Sequence, residues 1–395
     1  MPYFHFKVPY FLKKEINEVY IMHSLRSFSI STVAIFVPIF FLMKGYTFIE
    51  IVLYFGLYSI LNIFFTFLGL YISARKGVRH TIMSSIPIIM IFFLILYEIE
   101  MVIGVFGKIP TLLILALLNS SSSSFYFMGF HLEFAKFSES HKSARQYGIV
   151  RGFSTAASVA GPFFGGLIIE FFSFNFLFCL VVLCLFLSVI PLFFSKELHQ
   201  PFRFSYKKIL RNKKNGLPFM GEGIRFMAAT YFWPVLLFVA GITLGTIGGI
   251  FSFSSFLLAV FTVYLGKKTT EYNKHKMLKI GVIMNSLSLV FRSILKTVSS
   301  IVIVQGLGGI SWAFVQLPYM SIFYNNSKKK GIAETIFMRE FYLNIGRFLV
   351  VSVLGVSLLV TSPEVALTIT IILAALAMLL MAKISDDKDY TTTIS

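Results

Sequence analysis

The stretch FIEIVLYFGLYSILNIFFTFLGLYIS, residues 48–73, decides the fold of this chain. It contains a single charged side chain, Glu50, and is long enough to cross the roughly 30 Å hydrocarbon core of a bilayer as an α-helix. Because the stretch is apolar throughout and does not alternate, it predicts a membrane-spanning helix and not a strand of a β-barrel. The basic residues Arg75, Lys76 and Arg79 follow it directly, which is typical of a cytoplasmic loop.

Stretches of the same kind recur along the whole chain of 395 residues. Its residues are 57% apolar and 13% charged, and its mean hydropathy is +0.82, whereas about a quarter of the residues of an ordinary soluble domain are charged. We therefore predict an all-α membrane protein with twelve transmembrane helices. The predicted spans cover residues 17–43, 48–73, 82–103, 110–135, 146–171, 174–194, 221–241, 245–265, 277–296, 300–324, 335–361 and 364–383.

The loops between these spans predict the orientation. With a cytoplasmic N-terminus, the cytoplasmic segments carry 26 Lys and Arg residues, and the other side carries only Lys44, Lys108 and Lys296. This asymmetry follows the positive-inside rule, so we predict a multi-pass protein of the cell membrane with both termini in the cytoplasm. The loops also account for the formal net charge of +18, and we expect no nucleic-acid partner.

The longest connection divides the chain into two halves. Residues 195–220 are basic and lie between the sixth and seventh spans. They predict a linker between an N-terminal six-helix bundle, residues 1–194, and a C-terminal six-helix bundle with a short cytoplasmic tail, residues 221–395. A shift of 196 residues places Pro38 on Pro234, and a shift of 188 aligns the fourth and fifth spans with the tenth and eleventh. The two bundles are therefore predicted to be pseudo-symmetric.

The fifth span carries the most specific motif. It contains Gly148, Ala157 and the run Gly161-Pro162-Phe163-Phe164-Gly165-Gly166. On these residues the chain resembles the major facilitator superfamily, whose fifth-helix motif has a second glycine where Ala157 stands. Pro162 predicts a helix kink, and the glycines predict close helix contact. The resemblance implies the fold of this family, with two bundles that rock about a substrate site near the membrane midplane. The family associates the motif with antiporters.

Two further segments resemble the gate motif of that family less closely. The first copy lacks the acid of the family pattern and has one inserted residue, and the second has an acid one residue late. The resemblance implies two cytoplasmic gate loops, formed by Gly69, Arg75, Gly77 and Arg79, and by Gly266 and Glu271. The missing acid implies a weakened latch, and positive-inside anchoring alone is the other interpretation.

Ionisable side chains inside the spans are functional candidates because their burial in a membrane costs free energy. Arg26 has no acid within one helical turn, which makes it the best candidate for a substrate or coupling role. Arg347 lies near the midplane and shares a helix face with Glu340 and Asn344. These three predict either a closed structural network or a polar face of the cavity.

Other arginines lie nearer to the ends of their spans. Arg151, Arg225 and Arg339 are close to the cytoplasmic ends and Arg292 is close to an outer end, so we predict that they extend to the membrane interface. Glu222 precedes Arg225 by three residues and is predicted to pair with it.

Further candidates lie on the fourth, seventh and tenth spans. His131 titrates near neutral pH and Glu133 holds a proton if buried, so this pair is a candidate for proton coupling. Trp233 and Trp312 are the only tryptophans; they are predicted either to stack on a substrate or to fill space. Gln316 is a polar candidate on the same span as Trp312. We expect no metal site and no cofactor.

The sequence predicts a secondary active transporter of a small solute that works as a monomer by alternating access, with a proton as the candidate coupling ion. Two versions stay open: the fifth-span motif favours proton-driven export of an amphipathic compound, and the excess of six arginines over three acids in the spans favours an anion. A non-transporting receptor or scaffold is an alternative. A lipid-modifying enzyme is less favoured, because the loops carry no paired carboxylates and no His pair at ligand spacing.

Overall fold

The structure, a computed structural model, describes residues 14–137, 159–193, 204–205, 216–269, 273–295 and 297–385. The regular elements in this part of the chain are all helical. Nine of the helices described are individually long and apolar enough to cross a membrane. Their exposed side chains are largely aliphatic and aromatic, as a lipid-facing surface requires. The predicted all-α membrane fold is confirmed.

The first half of the chain forms α1 to α6. Helix α1 consists of Lys14–Val33, a 3-10 turn at Ala34–Phe36 and a second helical piece at Val37–Met43. Helix α2 covers Phe48–Lys76, α3 covers Val78–Tyr97 with a short continuation at Ile99–Phe106, and α4 covers Lys108–Phe137. Helix α5 is described over Gly161–Phe171 and α6 over Phe174–Phe193.

The second half forms α7 to α12. Helix α7 consists of Gly216–Met227, a π-helical turn at Ala228–Phe232 and a second helical piece at Trp233–Val239. Helix α8 covers Leu244–Lys268, α9 Lys274–Ile294, α10 Val298–Lys330, α11 Ile332–Leu358 and α12 Pro363–Met381. The helices therefore follow one another in the predicted order. Residues 216–220, predicted as linker, are helical.

The first helix of each half is interrupted at the same place. In α1 and α7 the second helical piece begins with a proline in its first turn, Pro38 and Pro234 respectively. Proline has no backbone N–H and cannot continue the i→i−4 ladder, so the backbone changes locally to a 3-10 turn in one half and a π turn in the other. The prolines that a shift of 196 residues superimposes thus have the same structural consequence.

Very short connections join several helices. Gly77 alone separates α2 from α3, and Gly331 alone separates α10 from α11, with φ of 112° and 108°; glycine adopts this backbone conformation without a steric penalty. Of the first predicted gate segment, Gly69 and Arg75 lie inside α2, Arg79 lies inside α3, and only Gly77 is in the connection; its role as a gate stays a prediction. Gly266 is likewise inside α8, and Glu271 lies outside the described residues.

Two ends of the helical bundle can be distinguished by charge. The end at which α2 meets α3 and α8 meets α9 carries Arg75, Lys76, Lys267 and Lys268 in the last helical turns; we call it the basic end. The other end, where α1 meets α2, carries Lys44, and we call it the opposite end.

Contacts within and between the halves position the functional site. Helix α4 packs against α2 and α3 in the first half, and α10 packs against α8 and α9 in the second. The halves meet mainly along two helix pairs, α5 with α8 and α2 with α11. The domain boundaries at residues 194 and 221 stay predictions, because most of residues 195–215 lie outside the described part of the chain.

Candidate functional site

A cavity of about 320 Å³ lies between the two halves. Helices α1, α2, α3 and α4 line it from the first half, and α7, α8 and α11 line it from the second. Its wall is partly aromatic and partly polar, and it includes His23, Arg26, Asn119, Tyr126, Tyr231 and Arg347.

Arg26 enters this cavity from α1. Its guanidinium carbon lies 3.4 Å from the ring centroid of Tyr126, in a cation–π contact, and the residue is only 6% exposed. His23 lies one turn earlier on α1; it hydrogen-bonds to the hydroxyl of Tyr126 and stacks on Phe130 with 4.3 Å between ring centroids. Sequence reasoning missed His23, although its spacing of three from Arg26 places both on one helix face.

Arg347 enters the cavity from α11. Its Nη1 donates to Oδ1 of Asn344 at 3.0 Å, and its guanidinium carbon lies 4.6 Å from the ring centroid of Phe226. Asn344 in turn donates to the backbone carbonyl of Glu340 at 2.8 Å. The Glu340 carboxylate faces Arg339 instead of Arg347. The predicted polar stripe therefore divides between the cavity and a second network.

That second network joins the halves on the basic-end side of the cavity. Arg339 of α11 binds Glu340 and also Glu222 of α7, and it donates to Nε2 of His131 on α4 at 3.1 Å. Since a guanidinium only donates, Nε2 accepts here and Nδ1 carries the proton; Nδ1 lies 2.7 Å from the hydroxyl of Tyr324 on α10. We call these five residues the basic-end network. It connects one helix of the first half to three of the second.

Glu133, the predicted partner of His131 in proton coupling, binds elsewhere. Its Oε1 accepts from Nε of Arg79 on α3 at 3.1 Å, and both side chains are buried. Arg79 belongs to the loop motif that lacks its own acid, so α4 supplies a carboxylate next to that motif. Arg75 is exposed, with its guanidinium carbon 4.5 Å from the ring centroid of Tyr71.

The fifth-helix motif packs α5 between two other helices. A Cβ on Gly161 would lie 2.0 Å from Oγ of Ser31, and one on Gly165 would lie 1.8 Å from the carbonyl oxygen of Thr32, both on α1. Only glycine allows so close an approach of two backbones. The described part of α5 begins at Gly161 with Pro162 in its first turn. Gly148 and Ala157 lie outside the described residues.

The other side of α5 contacts the second half. A Cβ on Gly166 would lie 2.5 Å from the carbonyl oxygen of Leu244, and one on Gly248 would lie 2.2 Å from that of Pro162. Glu170 accepts a hydrogen bond from the backbone N–H of Gly245 at 2.9 Å. We call this α5–α8 contact the opposite-end contact, because it lies beside the α7–α8 connection.

The tryptophans and Gln316 do not line the cavity. Trp233 is buried and donates from Nε1 to Oε1 of Gln305 on α10 at 3.1 Å. Trp312 lies under the guanidinium of Arg225, with 3.5 Å between its ring centroid and the guanidinium carbon. Gln316 is buried, and its Oε1 has no hydrogen-bond partner among the described residues. Their substrate-binding roles stay predictions.

The charges around the cavity are unbalanced. No Asp or Glu of the described residues lines it, whereas Arg26 and Arg347 both do. The three acids predicted inside the spans are each bound to an arginine outside the cavity wall: Glu133 to Arg79, and Glu222 and Glu340 to Arg339. The cavity thus offers two guanidinium groups, one from each half, to whatever enters it.

Comparison with known proteins agrees with this architecture. A family model described as the Major Facilitator Superfamily matches residues 19–351. Among solved structures, the chain is similar to the human organic anion transporter MFSD10 (TETRAN), with a TM-score of 0.68, 11% sequence identity and coverage of 95% of this chain and 100% of that one. It is also similar to a variant of the E. coli fucose:proton symporter FucP, with a TM-score of 0.65, 14% identity and coverage of 93% and 98%. No curated protein sequence matches it.

Proposed function

This chain belongs to the Major Facilitator Superfamily, and we propose that it is a secondary transporter that carries a small organic anion through the cavity between its halves. The observation that carries the proposal is that Arg26 and Arg347 reach one cavity from opposite halves. A solute that binds both arginines would contact both moving parts of the protein. That is the arrangement alternating access requires of a substrate site.

The cost of burying the two arginines favours an anionic ligand. An isolated arginine at the centre of a membrane-spanning helix costs roughly 2.5–3.5 kcal/mol. Neither Arg26 nor Arg347 forms an ion pair with a carboxylate of the described residues, and Glu340 attracts Arg347 only from a longer distance. Their direct contacts are to the rings of Tyr126, Tyr58 and Phe226 and to Asn344. A carboxylate, phosphate or sulfonate on the solute would supply the missing counter-charge, and guanidinium groups bind such anions in bidentate fashion.

The size and walls of the cavity favour a small solute. Its volume of about 320 Å³ is at the lower end of the roughly 300–1,000 Å³ found for ligand pockets. Tyr58, Tyr126 and Tyr231 offer aromatic surface, and Asn119 and Ser123 offer hydrogen bonds. A mono- or dianion with a short apolar or aromatic body fits this wall better than a large amphipathic cation. MFSD10, which shares the fold, is itself an organic anion transporter.

Two sets of contacts are suited to act as gates. The basic-end network lies on one side of the cavity, and the opposite-end contact lies on the other, with the tilted rings of Phe55 and Tyr231 in contact at 4.9 Å between centroids. We propose that rocking of the halves breaks one set at a time. With the basic end in the cytoplasm of a cell-membrane protein, the basic-end network would be the inner gate. We propose that the transporter works as a monomer.

A second candidate is proton-driven export of an amphipathic compound, and the fifth-helix glycine motif favours it. In that case His131 and Glu340 of the basic-end network are the candidate proton carriers, since both are buried and within 3.8 Å of each other. A receptor or scaffold with this fold is a third candidate. Uptake that saturates with solute and depends on the pH gradient across proteoliposomes would exclude it.

The test uses the purified full-length protein. Thermal shifts against carboxylates, phosphates and sulfonates, with neutral and cationic analogues alongside, identify the ligand class because ligands of the folded state raise its stability. Labelled ligand is then followed into proteoliposomes. We expect Arg26→Gln and Arg347→Gln each to weaken binding about ten- to a hundredfold, since a hydrogen bond to a charged group contributes about 1.5–3 kcal/mol.

Lys279→Gln is the matched control, because Lys279 is an exposed basic residue outside the cavity and outside both predicted gate segments. Unchanged transport in both cavity variants, or a stronger response to cations than to anions, would overturn the proposed anion site. Failure of every solute to cross the membrane would favour the receptor.

A further inference from the structure

A second pair of cations, one half-buried and one buried, lies inside the second half of the chain, apart from the cavity. Arg225 of α7 donates from Nε to Oδ1 of Asn285 on α9 at 3.3 Å and stacks on Trp312 of α10. Arg292 of α9 is 5% exposed, and its guanidinium carbon lies 5.8 Å from the ring centroid of Trp233. Neither arginine lines the cavity. The prediction that Arg292 extends to the membrane interface is therefore wrong.

Both guanidinium groups adjoin one contact between α9 and α10. Asn285, which accepts from Arg225, donates from Nδ2 to the carbonyl oxygen of Gly308 at 3.1 Å and to Ser311 at 2.8 Å. Nη2 of Arg292 lies 2.1 Å from the position that a Cβ on Gly308 would take. Because Gly308 has no side chain, the guanidinium of Arg292 can lie against it. Gly308 is bound by Asn285, the same residue that accepts from Arg225.

Neither arginine forms an ion pair with a carboxylate of the described residues, and the acid that attracts Arg225 from a longer distance, Glu222, is shared with Arg339. Glu222, which was predicted to pair with Arg225, binds Arg339 instead. Nε of Arg292 has no hydrogen-bond partner in the described part of the chain. The hydrogen bond from Arg225 ends on the amide oxygen of Asn285, which carries no net charge. The ring faces of Trp233 and Trp312 attract cations only weakly, by about 0.5–2 kcal/mol.

Removing these two positive charges from water with no carboxylate bound directly to either is unfavourable, because buried ions must be paired to offset their desolvation. We propose that Arg225 and Arg292 bind a small inorganic anion of the chloride class between α7, α9 and α10. Two guanidinium groups supply the charge-assisted donors that such an anion needs. The close packing at Gly308 favours a monoatomic ion over an organic one. This site stabilises the second half and is separate from the transported solute.

The experiment compares thermal stability of the purified full-length protein in sodium chloride and in sodium gluconate at equal ionic strength. We expect a saturable rise of Tm with chloride, because an anion bound only to the folded state stabilises it. Arg292→Gln should abolish that rise and, in gluconate, be at least as stable as the wild type, since it removes an uncompensated buried charge. Arg26→Gln, which alters the cavity, should keep the full chloride response.

A second measurement on the wild-type protein covers the case in which Arg292→Gln does not fold. Crystals grown in sodium bromide should show an anomalous peak between Arg225 and Arg292. The inference is overturned if chloride does not raise Tm and no peak is found at this position, or if bromide occupies only the cavity and Arg26→Gln removes the chloride response. The uptake measurements test the anion-transport proposal, and their result is independent of the chloride response.

Discussion

Gly248→Ala should open the transporter at the opposite end without unfolding it. Gly248 lies on α8, where it faces α5 of the other half. A Cβ at this position would lie 2.2 Å from the carbonyl oxygen of Pro162 and 3.3 Å from Cα of Gly166. Non-bonded heavy atoms attract best at about 3.5–4 Å. The two helices must therefore separate by roughly 1 Å to accept one methyl group.

The magnitude follows from where the strain is located. Overpacking of a tight contact costs about 1–3 kcal/mol. Because α5 and α8 belong to different halves, the protein escapes that cost by rocking the halves apart at this end. A free-energy change of this size shifts a two-state equilibrium by about 5- to 150-fold. The substitution should thus appear as a change of conformational population and only secondarily as a loss of stability.

Spin labels can measure that population. Cysteines introduced by Gly104→Cys and Val360→Cys carry the labels, since both positions are exposed at the opposite end, one in each half. Cys179 and Cys184 are first replaced by serine. Gly248→Ala should increase the fraction of long label distances.

Gly249→Ala provides the matched control. A Cβ at Gly249 would meet no atom within 4 Å, so the alanine only improves helix stability, by about 0.5–1 kcal/mol in either conformation. Equal distance distributions in Gly248→Ala and the wild type, or the same shift in Gly249→Ala, would refute the role of the α5–α8 contact as a gate.

Two further substitutions test the basic end and the interior of the second half. His131→Phe removes the hydrogen bonds to Tyr324 and Arg339 that join α4 to α10 and α11, so labels across the basic end should move apart while those across the opposite end do not; unchanged distances would contradict the gate role. Trp233→Phe leaves the buried Oε1 of Gln305 without its donor, which costs about 1–3 kcal/mol. Tm should fall while ligand affinity is retained, and lost affinity would instead place Trp233 at the substrate site.

Part of the candidate site was predictable from the cost of charge in a membrane. Arg26 and Arg347 stood out because each is an arginine deep in an apolar span, and both line the cavity. His23 lies on the same helix face as Arg26, but the cost of a fixed charge in the membrane singles out arginine and not histidine. The partners were not predictable: Glu222 binds Arg339 and not Arg225, which is nearer in the chain.

The sequence by itself determined which segments enter the membrane and in what order. Hydropathy and helix length are local properties, so each segment can be assessed without knowledge of the others. The sequence also placed the prolines at residues 38 and 234 and the glycines at 161, 165 and 166. Only the tertiary structure decided which helix each of these faces, and which arginine keeps its charge unpaired. Such pairings depend on distances between helices that are far apart in the chain. The composition of one span does not specify which other helices pack against it. The opening stretch at residues 48–73 thus predicted a helix, while its contact with α11 arose only from the packing of the two halves.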